Sequence, residues 1–283
     1  MMKSFFVKLF LLSSIAIKAQ IISGVVLDSK TNQPLPYVHI GVPNKNMGVI
    51  SRDNGKFEID LSKADKDEEL VFSMLGYTVV KKKISSLLST KDLEIKLVEE
   101  VKQLKEVVVR NEKPKPIKLG RFKPSNTTMG QSMLKDFGCG NEWGLRIFNK
   151  DKKFWIDNVQ FHMRFNTVDS ILFRIQIYKV KDNMPGESIL REETFVTSHN
   201  GQHWISKDLE RQALVLDQDV IVAYEVVRVW YSKTSDNELF FTYGKGYEEG
   251  KVYSRASSLD SWKIGERAPA AIPVAMFLTV SEY

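Results

Sequence analysis

This chain is poor in the residues that usually mark cross-links and catalysis. Of its 283 residues one is cysteine, Cys139, and four are histidine. A lone cysteine excludes an intrachain disulfide, so each folded unit must rest on its own apolar core. Cys139 sits in Phe137-Gly138-Cys139-Gly140 with no histidine partner nearby. A reactive thiol needs such a partner, so a small inert residue is expected. Helical periodicity is also scarce. Apart from a short turn around 131–136, no stretch repeats apolar residues at helical spacing. No apolar run approaches the ~20 residues of a membrane-spanning helix. With 43% hydrophobic and 27% charged residues, the chain reads as globular, and its length suits two domains.

The familiar catalytic and metal motifs are missing as well. His199 and His203 stand four apart, but Asn200-Gly201 between them is a turn. Two histidines at that spacing share a face only on a helix. His39 and His162 fall on the polar sides of strand patterns, where surface histidines are expected. Gly130-Gln131-Ser132-Met133-Leu134 lacks the second glycine of a nucleophile elbow. Gly244-Lys245-Gly246-Tyr247 lacks the ending of a phosphate loop. Asp53-Asn54-Gly55 lacks the closing glutamate of a calcium loop and is expected to be a tight turn. No catalytic residue, metal ligand or cofactor is therefore assigned, and a non-enzymatic protein is expected.

The first residues, MMKSFFVKLFLLSSIAIKAQ, have the plan of an export signal. Lys3 and Lys8 precede an apolar core from Leu9 to Ile17, and Ala19 offers a small residue for cleavage. Export to the periplasm, the outer-membrane surface or the medium is expected. The signal also corrects the charge. Lys+Arg total 41 against 35 Asp+Glu, a net +6, but Lys3, Lys8 and Lys18 would leave with residues 1–19. Another +5 lies in residues 110–124, RNEKPKPIKLGRFKP. The rest is near neutral, so nucleic acid is not an expected partner.

Residues 20–109 read as short strands. Val38, Ile40 and Val42, then Phe57, Ile59 and Leu61, then Leu93, Ile95 and Leu97 alternate with polar or small residues. Period-two patterns mark half-buried antiparallel strands. Two blocks then carry a resemblance: Ile22-Ser23-Gly24-Val25-Val26-Leu27-Asp28 with Gln33-Pro34-Leu35-Pro36-Tyr37-Val38, and Leu70-Val71-Phe72-Ser73-Met74-Leu75-Gly76-Tyr77. With Asp53-Asn54-Gly55-Lys56-Phe57 between them, this region resembles the carboxypeptidase-regulatory-like domain of bacterial envelope proteins over residues 21–98. The resemblance implies a transthyretin-like seven-stranded β-sandwich without catalysis. The zinc peptidases that lend the domain its name carry a His-x-x-Glu pair, and no histidine here is followed by glutamate at that spacing. Leu104 to Val109 is similar to the segment after this domain in TonB-dependent receptors, but too little chain follows for a plug and a large barrel.

Residues 110–124 are expected to be a Lys/Pro-rich linker. Its Lys113, Lys115, Lys118, Arg121 and Lys123 are candidate contacts for a partner or an anionic membrane surface. Residues 125–283 read as a second all-β unit of eight to ten strands. Val159, Phe161, Met163 and Phe165, then Ile171, Phe173, Ile175 and Ile177, supply inward faces, and the connector 166–170 has hairpin length. Phe173-Arg174-Ile175-Gln176-Ile177-Tyr178, Met184-Pro185-Gly186 and Trp204 to Leu209 resemble jelly-roll modules found downstream of regulatory-like domains. A spanning barrel is disfavoured, because Arg164, Arg174 and Arg228 sit mid-strand and Ser281, Thr279 and Phe277 make a poor lipid face. The fold expected is all-β, two β-sandwiches in series. All five tryptophans lie in the second unit. Trp204 and Trp230 suit its core. Trp143, Trp262 and Tyr247, beside glycine-rich turns, are candidate ligand-binding residues. The expected partner is a glycan or an envelope protein.

Overall fold

A computed structural model describes residues 20–88, 90, 93–100, 115–132, 139–149, 152–231, 238–245, 251–265 and 274–283, without side chains at 127–132 and 238–245. The expected export signal 1–19, the segment 104–109, Lys113 and Tyr247 lie outside these residues. The chain is nearly all β. Among the described residues, no helix is long and apolar enough to cross a membrane.

Among the described residues the first unit has seven strands: β1 Ile21–Asp28, β2 His39–Val42, β3 Met47–Ile50, β4 Lys56–Asp60, β5 Glu69–Ser73, β6 Val80–Lys83 and β7 Leu93–Leu97. They form a three-stranded sheet, β4-β1-β7, and a four-stranded sheet, β3-β2-β5-β6. A single turn of helix, Ile84–Leu87, follows β6. The two sheets share one core that includes Val26, Val38, Ile40, Phe57, Ile59, Phe72 and Ile95. The alternation holds here. Phe57, Ile59, Leu93 and Ile95 are buried while Glu58, Asp60, Glu94 and Lys96 face water. The Asp53-Asn54-Gly55 turn closes as expected. Gly55 has φ +73, and a Cβ there would lie 2.7 Å from the Val26 carbonyl oxygen.

Two residues of the sequence blocks bind the unit together. Asp28 Oδ1 accepts the Thr31 amide at 2.7 Å and the Lys30 amide at 2.9 Å, which closes the turn after β1. Its Oδ2 accepts the Tyr77 hydroxyl at 3.1 Å. The Thr31 amide leads in holding the Asp28 carboxyl below its ordinary range. Burial, followed by Asp28 itself, pushes the Tyr77 phenol up to about 12.

The second unit is larger than expected. It comprises β8 Ile117–Gly120, β9 Lys123–Ser132, β10 Glu142–Ile147, β11 Phe154–Asn166, β12 Ser170–Lys181, β13 Met184–Ser188 and β14 Thr194–His199. It continues with β15 Trp204–Asp208, β16 Leu214–Leu216, β17 Val220–Trp230, β18 Glu238–Lys245, β19 Val252–Arg255, β20 Lys263–Ile264 and β21 Met276–Glu282. One sheet runs β13-β12-β17-β10-β19-β20 with β14 added on β12; the other runs β8-β21-β11-β18-β9 with β15 and β16 added on β11. A common core takes side chains from both sheets. Phe161 on β11 stacks on Tyr224 of β17 at 5.0 Å and meets Phe173 of β12 edge-on at 5.1 Å.

Three expectations change. The connector 166–170 makes no hairpin, because β11 and β12 belong to different sheets. Phe165 is 53% exposed, because a register shift between Met163 and Phe165 turns it outward. Much of the expected linker is not a spacer. Lys118 lies on β8, which pairs with β21, and Lys123 opens β9, which pairs with β18. The Arg121 amide donates to the Met276 carbonyl at 2.8 Å, and its side chain is buried. The pairing of Ile117–Gly120 with Phe277–Val280 overrides the Pro/Lys composition that suggested a solvated tether.

Candidate functional site

The densest polar constellation stands where the two units meet. In the first sheet of the second unit, one row of directly opposed residues crosses four strands. Arg174 on β12 faces Glu225 on β17, Glu225 faces Glu142 on β10, and Glu142 faces Arg255 on β19. Strand alternation puts this row on the face away from the core. Such a face would ordinarily meet water. Here Tyr37, His39 and Leu75 of the first unit close over it, and Arg174 and Glu225 are fully buried.

The row pairs its charges internally. Arg174 Nη1 donates to Glu225 Oε2 at 2.7 Å, and its Nε lies 2.7 Å from Glu193 Oε2. Arg255 Nε donates to Glu142 Oε2 at 2.5 Å. The Tyr178 hydroxyl donates to Glu142 and accepts from Arg255 Nη2 at 2.8 Å. Two glutamates directly opposite each other repel, so the flanking arginines are what make the arrangement tolerable. Burial disfavours the Arg174 cation, but Glu225 and Glu193 outweigh it and raise its pKa. Burial likewise pushes Glu225 up, yet His39 and Arg174 prevail and hold it below its ordinary value. Burial pushes the Tyr178 phenol well up, reinforced by Glu142.

The first unit closes the row with His39, on β2. Its Nε2 lies 2.8 Å from Glu225 Oε1 and 2.5 Å from Arg174 Nη1. As an N–H it donates to the carboxylate; as a bare nitrogen it accepts from the guanidinium. The expectation of a surface histidine is therefore corrected, since only 6% of His39 is exposed. Arg174 Nη2 also donates to the Tyr37 carbonyl, and Glu193 Oε1 accepts the Leu75 amide at 3.0 Å. Further along, Asn46 donates its amide to Asp260 at 3.0 Å. A Cβ on Gly48 would meet the Ser257 side chain at 2.7 Å, so glycine permits the close approach. An open cleft of about 290 Å³ enters this seam between the turn Ser73–Tyr77 and the row.

The residues singled out from sequence are dispersed. Trp143 and Trp262 are half-buried and stand on opposite faces of one sheet. Trp143 stacks on Tyr224 in the core at 5.7 Å, while Trp262 lies under the Arg255 guanidinium at 4.3 Å. They do not form a joint exposed platform. Lys115, Lys118 and Lys123 are exposed, whereas Arg121 is buried. His203 bonds through Nδ1 to the Met163 carbonyl and stacks on His162 at 5.9 Å. Among the described residues, no three His, Cys, Asp or Glu side chains converge as metal ligands do. Sequence inspection missed His39, Glu142, Arg174, Glu225 and Arg255 as a group. The available signal was a charged residue amid apolar ones, as in Phe173-Arg174-Ile175 and Tyr224-Glu225-Val226.

No curated protein matches the chain. The solved structures that the chain resembles include three of infectious bursal disease virus: the Gt strain, the Gx strain and a mutant VP2 protein in T=1 particles. Their identities are 9%, 8% and 11%, over 92%, 93% and 93% of this chain. This chain spans only 62%, 59% and 57% of theirs, with TM-scores of 0.27, 0.24 and 0.28, too low to bear on fold or function. The family comparison speaks to the first unit. The motif residues Asp28 and Tyr77, the seven strands and the two-sheet core accompany a match of residues 22–109 to the CarboxypepD_reg-like domain, a domain that occurs in extracellular and envelope proteins.

Proposed function

We propose that the protein is an exported, non-enzymatic binding or adaptor module of the cell envelope, whose two sandwiches act as one body. The observation that carries this reading is the pairing at the seam. Arg174 is engaged by Glu225 and Glu193, and Arg255 by Glu142. A general acid or base must instead reach a substrate proton. The regulatory-like domain supplies one wall of the seam cleft, which suits an adaptor that completes a site on its neighbour. Incubation of the purified chain with peptide and glycan panels tests the reading. No turnover is expected, and robust product formation overturns it. Fractionation with surface proteolysis assigns the compartment.

A second reading concerns the membrane surface. The exposed Lys115, Lys118 and Lys123 favour contact with anionic headgroups. Co-sedimentation with anionic vesicles that falls steeply with salt, and is lost in the triple Lys→Gln chain, is the expected result.

A further inference from the structure

We propose that the seam cleft binds a neutral saccharide unit, held by side chains of both sandwiches; this rests on the binding-module reading above. Size is the first constraint. At about 290 Å³ the cleft lies just below the usual span of ligand sites, ~300–1,000 Å³, so a single sugar ring suits it better than a long ligand.

Charge is the second constraint. Glu142, Glu193 and Glu225 pair with Arg255 and Arg174 within the second sandwich, and the His39 imidazole reaches Glu225 across the seam. Each of these carboxylates is engaged, Arg174 serving both Glu193 and Glu225 and Arg255 serving Glu142, and Glu100 stands in water at the rim. An ionic ligand would lose its hydration without gaining an unpaired counter-charge. Hydrogen-bonding capacity nevertheless remains. A carboxylate has about four acceptor positions, and Glu142 receives the Arg255 Nε and the Tyr178 hydroxyl. The Ser258 hydroxyl borders the cleft, is buried, and has no hydrogen-bond partner among the described residues. Ser188 stands close by, its hydroxyl donating to Gln176 Oε1 at 3.0 Å. Sugar hydroxyls both donate and accept, so they match this mixed edge where a pure donor or a pure acceptor does not.

The remaining walls suit the C–H faces of a ring. Tyr77, Leu75 and Tyr178 border the cleft. The roof turn stands clear, since nothing lies within 4 Å of a Cβ built on Gly76.

The test titrates the full purified chain with methyl glycosides of neutral hexoses and N-acetylhexosamines. Glucuronate and glucosamine serve as charged comparisons, and binding is followed by calorimetry and saturation-transfer NMR. At least one neutral glycoside is expected to bind better than both charged sugars. Ser258→Leu and Ser188→Leu, each of which fills the cleft, are expected to weaken it roughly tenfold or more. Thermal unfolding identifies any variant that fails to fold, and the other then decides. Binding unchanged in a folded variant, preference for a charged sugar, or no binding of any sugar overturns the proposal. Product formation would instead count against the non-enzymatic reading, so the two failures are distinguishable.

Discussion

The outer strands of the first sandwich and the central strands of the second show the same alternation with opposite outcomes. On β4 and β7 the polar partners of the buried residues, Glu58, Asp60, Glu94 and Lys96, face water. On β12 the corresponding partners, Leu172, Arg174, Gln176 and Tyr178, are all buried. The difference lies in what covers the second face. A strand pattern reports only that two faces differ in polarity. It does not report whether another domain docks on the polar one. When that happens, a charge that would cost little in water must find a partner of opposite sign.

Substitutions can break or sharpen this contrast. The largest effect is expected where a core or a buried pair is emptied. Phe72→Ala, in the first core, should cost roughly 3–5 kcal/mol in chemical denaturation. Glu225→Gln should cost roughly 3–5 kcal/mol because it removes one of the two carboxylates that hold the buried Arg174 cation. Glu94→Gln, on an exposed face, should change stability by less than about 0.5 kcal/mol. A Glu225→Gln chain as stable as Glu94→Gln would mean that the second face is not covered in solution. Glu225→Gln should also separate one cooperative unfolding transition into two, as the seam loosens.

Acid should reveal the same asymmetry. A carboxyl whose folded pKa lies below its unfolded value adds stability that is complete above the unfolded value and is lost as pH falls through the folded one. For Glu225 that loss begins below its ordinary value of 4.5. Denaturation midpoints measured from pH 6 downward should fall less steeply in Glu225→Gln than in the natural chain. An identical slope would remove Glu225 from the account.

Smaller effects sharpen the comparison from the other side. Tyr77→Phe removes one hydrogen bond to Asp28 within the first unit and should cost about 1 kcal/mol. Asp53→Asn breaks the half-exposed pair with Arg228 at 2.6 Å. It should change stability by about 0–1 kcal/mol, less still at high salt. A larger loss in Asp53→Asn would show that the seam extends to that rim.

The first unit was largely legible in its sequence. Its strands, its Asp53-Asn54-Gly55 turn and its inward faces follow from local pattern, and Asp28 and Tyr77 lie in the blocks that carry the resemblance. Phe165 was misjudged because one bulged residue reverses every later side chain on its strand. The strands at 117–120 and 123–132 were hidden because their partners lie more than a hundred residues away.

What the sequence by itself determined is the β character, the two apolar cores and the near neutrality left when residues 1–19 and 110–124 are set aside. Those properties depend on residue type and short-range order. Only the tertiary structure decided that Arg174, Glu225, Glu142 and Arg255 form one row and that His39 closes it. Each belongs to a different strand, and His39 to a different sandwich. Their meeting depends on register and on the docking of two faces, which no local pattern encodes.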